Sequence, residues 1–350
     1  MSLYSSINSL VLISKIFALL PVKKHHRLEK LVPCVYLTSF SVVLSLGSFI
    51  VSVYLTTKID NDGESISLAS GWLDLYLGIT IQTLGIISNC INAKQITIFF
   101  DKIQRIDKQF GLLGYSINYR RISIFVNLAI LGVFGEFVLV FVPDYVFFVE
   151  NEPILYLIFS YCPIVTTGII KIQFATCAHL ILQRVNHVKK ILEKETQTVA
   201  FPKDNHFLAL LDIVHGVHNE LCNLCQVANS IYGFQNFLFV LSTFSICITQ
   251  FYYCYDSGFN SDNLTDVYFT LQWAFLQILE ILALAYLCDK VQLKIGEIKY
   301  SVNKLIFRSN DPKVTLELCG MISTYLIIMI QLDLARTVPK FENKNKETEQ

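Results

Sequence analysis

Charged residues are scarce in this chain of 350 residues. They make up 16% of the sequence, whereas hydrophobic residues make up 53% and the mean hydropathy is +0.50. A soluble domain usually has about 25% charged residues, and one this apolar would expose surfaces that aggregate. The composition therefore excludes an ordinary water-soluble globular protein. It predicts an all-α polytopic membrane protein, for which the bilayer is the solvent.

Recognisable catalytic sequences are also lacking. The chain has no H-E-x-x-H motif, no nucleophile elbow and no phosphate-binding loop, so we expect no catalytic residues, no cofactor and no enzymatic activity. The formal net charge is zero, which gives no reason to expect a nucleic-acid partner.

One string of zinc-ligand residue types stands close together, namely His215, His218, Cys222 and Cys225. On a single helix the first and last would lie about 15 Å apart, whereas bonds to zinc are only about 2.0–2.3 Å long. We therefore expect a packed helix and no metal site from these four together. A site that uses two of them with another helix stays open.

Apolar runs are the dominant feature of the chain, and a helix needs roughly 20 apolar residues to cross the bilayer. The predicted spans are Leu31–Leu55, Leu68–Ile91, Ile122–Val142, Pro153–Leu182, Ile231–Phe251, Tyr268–Leu287 and Leu318–Leu334. The last is short, about 24 Å as a helix. An earlier apolar stretch, Ile7–Leu20, lacks the flanks of a signal peptide, so we predict a short amphipathic helix on the membrane surface.

Lys and Arg residues alternate between the predicted loops. They concentrate before the first span and after the second, fourth and sixth, and are nearly absent after the first, third and fifth. Because basic residues favour the cytoplasmic side, the N-terminus is predicted inside and the C-terminus outside. The sequon at Asn263 falls in a loop predicted outside, so Asn263 is the predicted glycosylation site.

These features predict the organisation of the chain. Between 183 and 230, apolar residues recur at helical spacing, so spans four to six should continue into the cytosol as helices. Their apolar stripe needs a partner, which a helical bundle would supply, within one chain or shared between subunits. The predicted parts are a cytosolic amphipathic segment (1–30), transmembrane helices one to four (31–182), a cytosolic helical anchor (183–230), helices five and six (231–288), a cytosolic helix (289–317), the final transmembrane helix (318–335) and an extracellular disordered tail (336–350).

Ionisable residues inside spans are costly and usually face a cavity or one another. Lys171 and Glu280 are predicted deep enough to pair. Asp74 and Glu136 are predicted in the outer half of the membrane. Two interpretations stay open for these groups: hydrogen bonding within the bundle, or an outward-facing ligand pocket, which would be lined by Trp72, Asp74, Tyr76 and Glu136.

The final span carries a polar stripe. Thr324 and Gln331 are seven residues apart, nearly two helical turns, and so lie on one face. A Gln amide left unpaired in lipid is costly, which predicts that this face meets protein or water. Both a pore lining and helix–helix packing would satisfy it.

Two short motifs give the chain a resemblance to a known family. Thr324-Tyr325, five apolar residues and Gln331-Leu332 resemble the T-Y-(apolar)5-Q-F signature of the insect gustatory receptors. Residues 15–21, Lys-Ile-Phe-Ala-Leu-Leu-Pro, resemble their K-x-F-G-L-x-P element, with Ala18 in place of Gly. The resemblance departs at 311–317, which leads almost directly into the last span where the family has a further re-entrant segment.

The resemblance implies a multi-pass receptor in the plasma membrane of a sensory neuron. It would be a nonselective cation channel gated by a small-molecule tastant, a homo- or hetero-tetramer with other gustatory receptor subunits in membrane lipid. The ligand would enter the outer half of the first six helices. The final helix of each subunit would line the pore, which places four residues on or near it: Thr324, Tyr325, Ile328 and Gln331.

Other polytopic membrane proteins are the alternative. A G-protein-coupled receptor would need its N-terminus outside, and the sequence has neither D-R-Y after span three nor N-P-x-x-Y in span seven. A small-molecule transporter would tend to show internal repeats and helices broken near mid-membrane, for which Pro163 and Gly168 are the only hint.

Overall fold

A computed structural model gives the fold and describes residues 2–25, 30–56, 65–143, 145–146, 154–197, 205–260 and 264–308. The helices in these ranges are α1 (Leu3–Ser6), α2 (Asn8–Ile16), α3 (Val35–Thr56), α4 (Ser65–Ile91), α5 (Ala93–Leu112), α6 (Tyr119–Pro143), α7 (Ile154–Gln197), α8 (Asn205–Asn260) and α9 (Leu264–Arg308). Two strands, β1 (Val22–His25) and β2 (Lys30–Pro33), pair antiparallel between α2 and α3.

Helices coincide with the six predicted spans that fall in the described ranges, and the predicted seventh lies outside them. Four stretches are long and apolar enough to cross a membrane, and Val35–Val51 and Tyr76–Ile91 are apolar but shorter. The four are Tyr119–Val142, Tyr161–Lys194, Ile213–Tyr252 and Val267–Ile298. A polytopic helical membrane protein is thus confirmed, while the count of seven and the side of the N-terminus stay predictions.

The predicted start of the first span at Leu31 is wrong. Residues Lys30–Pro33 form β2, and the helix begins only at Val35. The physical reason is Pro33, whose ring keeps the residue before it out of the α region. The backbone N–H of Cys34 donates to Pro21 O over 2.9 Å, which closes the hairpin base beside the first turn of α3.

Helix α2 ends in a Schellman motif at Ala18. The N–H of Leu19 donates to Ser14 O over 2.7 Å, and the N–H of Ala18 donates to Lys15 O over 3.0 Å. This arrangement needs a left-handed residue after the helix, and Ala18 has a φ of 56°. The Gly that the family element has at this point would adopt that conformation without strain.

Helices α4 and α7 pack along a stripe of small and polar residues. Gln82 Nε2 donates to Thr166 Oγ1 over 3.4 Å, and Asn89 Nδ2 donates to Gln173 Oε1 over 2.9 Å. A Cβ added to Gly85 would lie 2.6 Å from the Ile170 side chain. Since the partner lies 84 residues further along the chain in both hydrogen bonds, the two helices run parallel.

Two other helix pairs, α6 with α7 and α4 with α8, run antiparallel. Along α6 and α7, Phe125 stacks on His179, and Phe141 meets Tyr161 edge to face, so the numbering rises on one helix as it falls on the other. Between α4 and α8, Gln235 Nε2 donates to Asn89 Oδ1 over 3.2 Å, while Ser230, earlier on α8, donates to Gln95 in the first turn of α5, which follows α4. These relative directions agree with the alternation predicted from the loop charges.

The internal contacts divide the chain into two units. The first contains Met1–Gln104, Ile117–Leu180 and Val227–Cys288, and it holds the packing above. The second contains Arg105–Ser116, Ile181–Gln226 and Asp289–Gln350.

In the second unit, Arg184 is fully buried and binds both carboxylate oxygens of Asp107, at 2.9 and 2.7 Å. A bidentate pair satisfies a buried guanidinium, which would otherwise be very costly.

Helices α7, α8 and α9 are 44, 56 and 45 residues long, which is more than a span needs, while the cytosolic location of their extensions stays a prediction. The apolar stripe predicted on the extensions is buried within a single chain wherever its side chains are described. Its buried members are Val185, Val188, Ile191, Leu192, Val214, Val217, Leu221 and Leu224. These side chains therefore need no second subunit to cover them.

We expect Ala18→Gly to stabilise the protein. The substitution removes the cost of the left-handed conformation, which is about 1–2 kcal/mol for an L residue. Part of this gain is lost, because Gly raises the entropy of the unfolded chain and so lowers stability by roughly 0.5–1 kcal/mol. The net gain of about 0.5–1 kcal/mol should raise the melting midpoint in detergent by about 1–3 °C. Ala283→Gly, at an exposed position inside α9, is the control and should lower the midpoint. A lower melting midpoint for Ala18→Gly would contradict the left-handed conformation assigned to residue 18.

Candidate functional site

Lys171 on α7 and Glu280 on α9 form an ion pair, which confirms the pairing predicted for these two residues. The Lys171 ammonium donates to Glu280 Oε2, and it also lies 5.3 Å from the centre of the Phe239 ring on α8. Lys171 is 8% exposed. A charge this deep among apolar helices is stable only with a partner, so the pair joins three helices at one place.

Glu136 on α6 is the third charged group of this cluster. Its carboxyl group contacts that of Glu280 and interacts with Lys171. Glu136 is 9% exposed, and its Oε1 atom has no hydrogen-bond partner among the described residues. The cluster of Glu136, Lys171 and Glu280, here called the charge cluster, therefore sets one cation against two carboxyl groups.

A close approach of α6 and α7 positions the charge cluster. Val133 side-chain atoms lie 2.7 and 2.9 Å from where a Cβ on Gly168 would stand, so only Gly fits there. Val133 is one turn before Glu136, and Gly168 is one turn before Lys171. Residues three apart on a helix share a face. Because α6 and α7 run antiparallel, Glu136 and Lys171 lie one turn to opposite sides of this contact, on the facing sides of the two helices.

The depth predicted for Glu136, further out than Lys171 and Glu280, stays a prediction. The Glu136 and Lys171 backbones are offset along the helix axes, because α6 and α7 run antiparallel from the Val133–Gly168 contact. The Glu136 carboxyl group nevertheless reaches that of Glu280.

The remaining predicted site residues are placed only in part. Tyr76 lies on α4 and is half-buried. Trp72 and Asp74 belong to the same helix, but their side chains lie outside the described part of the chain. The pocket that would combine them with Glu136 therefore stays a prediction. Five further residues also lie outside the described ranges, namely Asn263, Thr324, Tyr325, Ile328 and Gln331.

A buried amide network in the same unit was not predicted from the sequence. Gln173 Nε2 donates to Ser14 Oγ over 2.9 Å, while its Oε1 accepts from Asn89, which in turn accepts from Gln235. The network joins α2, α4, α7 and α8, and all four residues are at most 4% exposed. The signal in the sequence was the matched spacing of seven residues, in Gln82/Asn89 and in Thr166/Gln173.

The residue string from His215 to Cys225 lies on one helix, α8. His218 and Cys222 are buried, and His215 and Cys225 are half-buried. Among residues with described positions, no group of three or more His, Cys, Asp or Glu side chains could hold a metal ion.

We expect the Lys171–Glu280 pair to behave as one unit in a double-mutant cycle. Lys171→Met leaves a buried carboxylate without its cation and should cost about 3 kcal/mol of stability. Adding Glu280→Gln removes that charge and should recover at least about 1 kcal/mol. The measurement is the unfolding midpoint in detergent, with Lys194→Met at an exposed position of α7 as the control. Strictly additive effects of the two substitutions would contradict the pairing.

Comparison with known proteins gives one clear result. A search of curated proteins finds no match. The sequence model of the 7tm chemosensory receptor family matches residues 7–318, which is most of the chain and includes all three residues of the charge cluster. The motif residues Thr324 to Gln331 lie beyond the matched range. A match over this share of the sequence shows that the chain belongs to the 7tm chemosensory receptor family, the family of the insect gustatory receptors.

Proposed function

We propose that this chemosensory receptor is a taste receptor and a subunit of a tastant-gated, nonselective cation channel. Family membership supports the receptor class, and the motif at Thr324-Tyr325 and Gln331 supports the channel. We further propose a homo- or hetero-tetramer of gustatory receptor subunits in the plasma membrane of a sensory neuron. In this arrangement the final helix of each subunit faces a shared axis.

The observation that supports a ligand site is that the charge cluster has two carboxyl groups and one cation. Lys171 is neutralised by Glu280, so the second carboxyl group, that of Glu136, is not needed for charge balance. Its Oε1 is buried and has no partner in the described part of the chain. An unsatisfied buried acceptor costs about 1–3 kcal/mol. A tastant that donates a hydrogen bond to Glu136 would remove that cost.

The connection between this site and the pore runs through α9. Glu280 lies on α9, which ends at Arg308, shortly before the predicted start of the final helix at Leu318. A ligand that binds better when α9 is in its open-channel position shifts the population toward that position. Gln331 and its apolar neighbours would then form a constriction that gates by wetting or by movement of the side chain.

The transporter alternative has less support. Transporters of known type often bind substrate at helices broken near mid-membrane. Here Pro163 lies inside α7, and yet the helix is continuous from Ile154 to Gln197. The unbroken helix favours a receptor, in which helices would move as rigid bodies, over a transporter.

The ligand-site proposal predicts a change in sensitivity for Glu136→Gln. The amide keeps the shape of the side chain but replaces one of the two carboxyl oxygens with an N–H donor. We expect the half-maximal concentration of an activating tastant, found by calcium imaging with a panel of small molecules, to rise about tenfold, equivalent to about 1.4 kcal/mol. Glu193→Gln, on the exposed side of α7, should leave it unchanged. An unaltered dose response for Glu136→Gln at equal surface expression would remove Glu136 from the site.

The pore proposal predicts a separate effect of Gln331→Leu. Removing the amide takes away the polar group proposed at the constriction, so we expect tastant-evoked cation currents to fall while surface expression persists. Leu332→Phe, which introduces the residue of the family signature, is the matched control and should keep the current. The measurement is the tastant-evoked current in whole-cell recordings from cells that express each variant. Wild-type currents from Gln331→Leu would exclude that residue from the gate.

A further inference from the structure

The N-terminal helix α2 borders a small cavity that the proposed receptor site does not use. The cavity has a volume of about 90 Å³ and is lined by Tyr4, Asn8, Val11, Leu12, Lys15 and Leu31. Its wall is therefore part apolar and part polar. A space of this size holds several water molecules, and it suits a compact polar group better than a whole organic ligand.

The position of the cavity relates it to the membrane surface. The pairing of β1 with β2 brings Leu31 back beside α2, and Leu31 stands only four residues before α3 begins at Val35. Helix α3, of 22 residues, coincides with the first predicted span. The cavity therefore lies near the end of a span, where headgroups of the bilayer are found.

The outer face of α2 is suited to contact with lipid. Leu12 is 57% exposed and Ile16 is 68% exposed, although both are large and apolar. They are one turn apart on the helix and flank Lys15. A helix that presents apolar side chains with a neighbouring lysine lies in the membrane interface, with the lysine directed to the phosphate level.

The charges around the cavity favour an anion. Among the residues that the structure describes, Lys15 is the only charged residue that lines the cavity, and it has no ion pair there. Asp101, which is not part of the lining, accepts a hydrogen bond of 3.0 Å from the Tyr4 hydroxyl. Burial and Asp101 raise the pKa of Tyr4, so the phenol stays protonated and keeps donating to that carboxylate.

We propose that this cavity binds the phosphate of a glycerophospholipid with a net negative headgroup. The Lys15 ammonium and the Asn8 amide would donate to the phosphate oxygens, and the acyl chains would run along Leu12 and Ile16. A zwitterionic headgroup adds its own cation beside Lys15 and binds less well. The lipid would hold α2 in place and, through the hydrogen bond from Gln173 to Ser14, support the amide network.

The test uses the purified full-length protein in detergent micelles. Phosphatidylserine, phosphatidylcholine or inorganic phosphate is added, the melting midpoint is followed, and bound lipid is counted by native mass spectrometry. We expect phosphatidylserine to raise the midpoint and to be retained, with weaker effects from the other two. Lys15→Gln should weaken phosphatidylserine binding about fivefold, as expected for about 1 kcal/mol per basic residue near anionic lipid.

Lys23→Gln is the matched control, because Lys23 is an exposed residue of β1 that does not line the cavity. It should bind phosphatidylserine like the wild type, and Lys15→Arg should retain most of the binding. If Lys15→Gln fails to fold, Asn8→Ala replaces it, with a loss of binding expected. Equal binding by the variant and the Lys23→Gln control, equal retention of phosphatidylcholine, or the same midpoint shift from inorganic phosphate alone would overturn the proposal.

Discussion

The fold depends on one constraint: a polar group inside a membrane-spanning helix must find its partner within the protein, because lipid offers none. Helices α4 and α7 satisfy this constraint with two hydrogen bonds between them, from Gln82 to Thr166 and from Asn89 to Gln173. Gly85 lets the two helices approach between these pairs. The packing also fixes α7 about its own axis, since Ile170 lies against Gly85, and Lys171 is the next residue.

The charge cluster follows from that arrangement. Once α7 is fixed, Lys171 can reach Glu280 on α9, and the contact of Gly168 with Val133 places Glu136 on the side of α6 that faces α7. Because Lys171 is already paired with Glu280, the Glu136 carboxyl group is a buried acceptor that charge balance does not require. This acceptor is the point at which we propose that a ligand biases the helices, and α9 precedes in the sequence the segment that we propose as the pore.

Composition and spacing predicted the helical spans, the long extensions and the Lys171–Glu280 pair. These features are predictable because exposing an apolar surface to water, or leaving a buried charge unpaired, costs much free energy. The hairpin β1–β2 was not predicted, since four-residue strands carry too little periodicity, and only Pro33 indicates why the helix starts late. The α4–α7 contacts were missed because Gln82 and Asn89 are single polar residues in apolar runs, and their partners lie on a helix far along the chain. That Glu136 joins the Lys171–Glu280 pair depends on how α6, α7 and α9 are offset along their axes, which no single segment of the sequence contains.

The register of α4 against α7 is the claim on which the rest depends, and disulfide cross-linking tests it most directly. A Cβ on Gly78 would lie 3.7 Å from the Cβ of Pro163, which is within the usual Cβ separation of about 3.5–4.5 Å for a disulfide. In a Cys162→Ser background, Gly78→Cys with Pro163→Cys should cross-link on mild oxidation, as detected by gel after cleavage of the chain between the two helices. Gly78→Cys with Ile170→Cys, two turns away, should not. A cross-link from the second pair and none from the first would contradict the packing described.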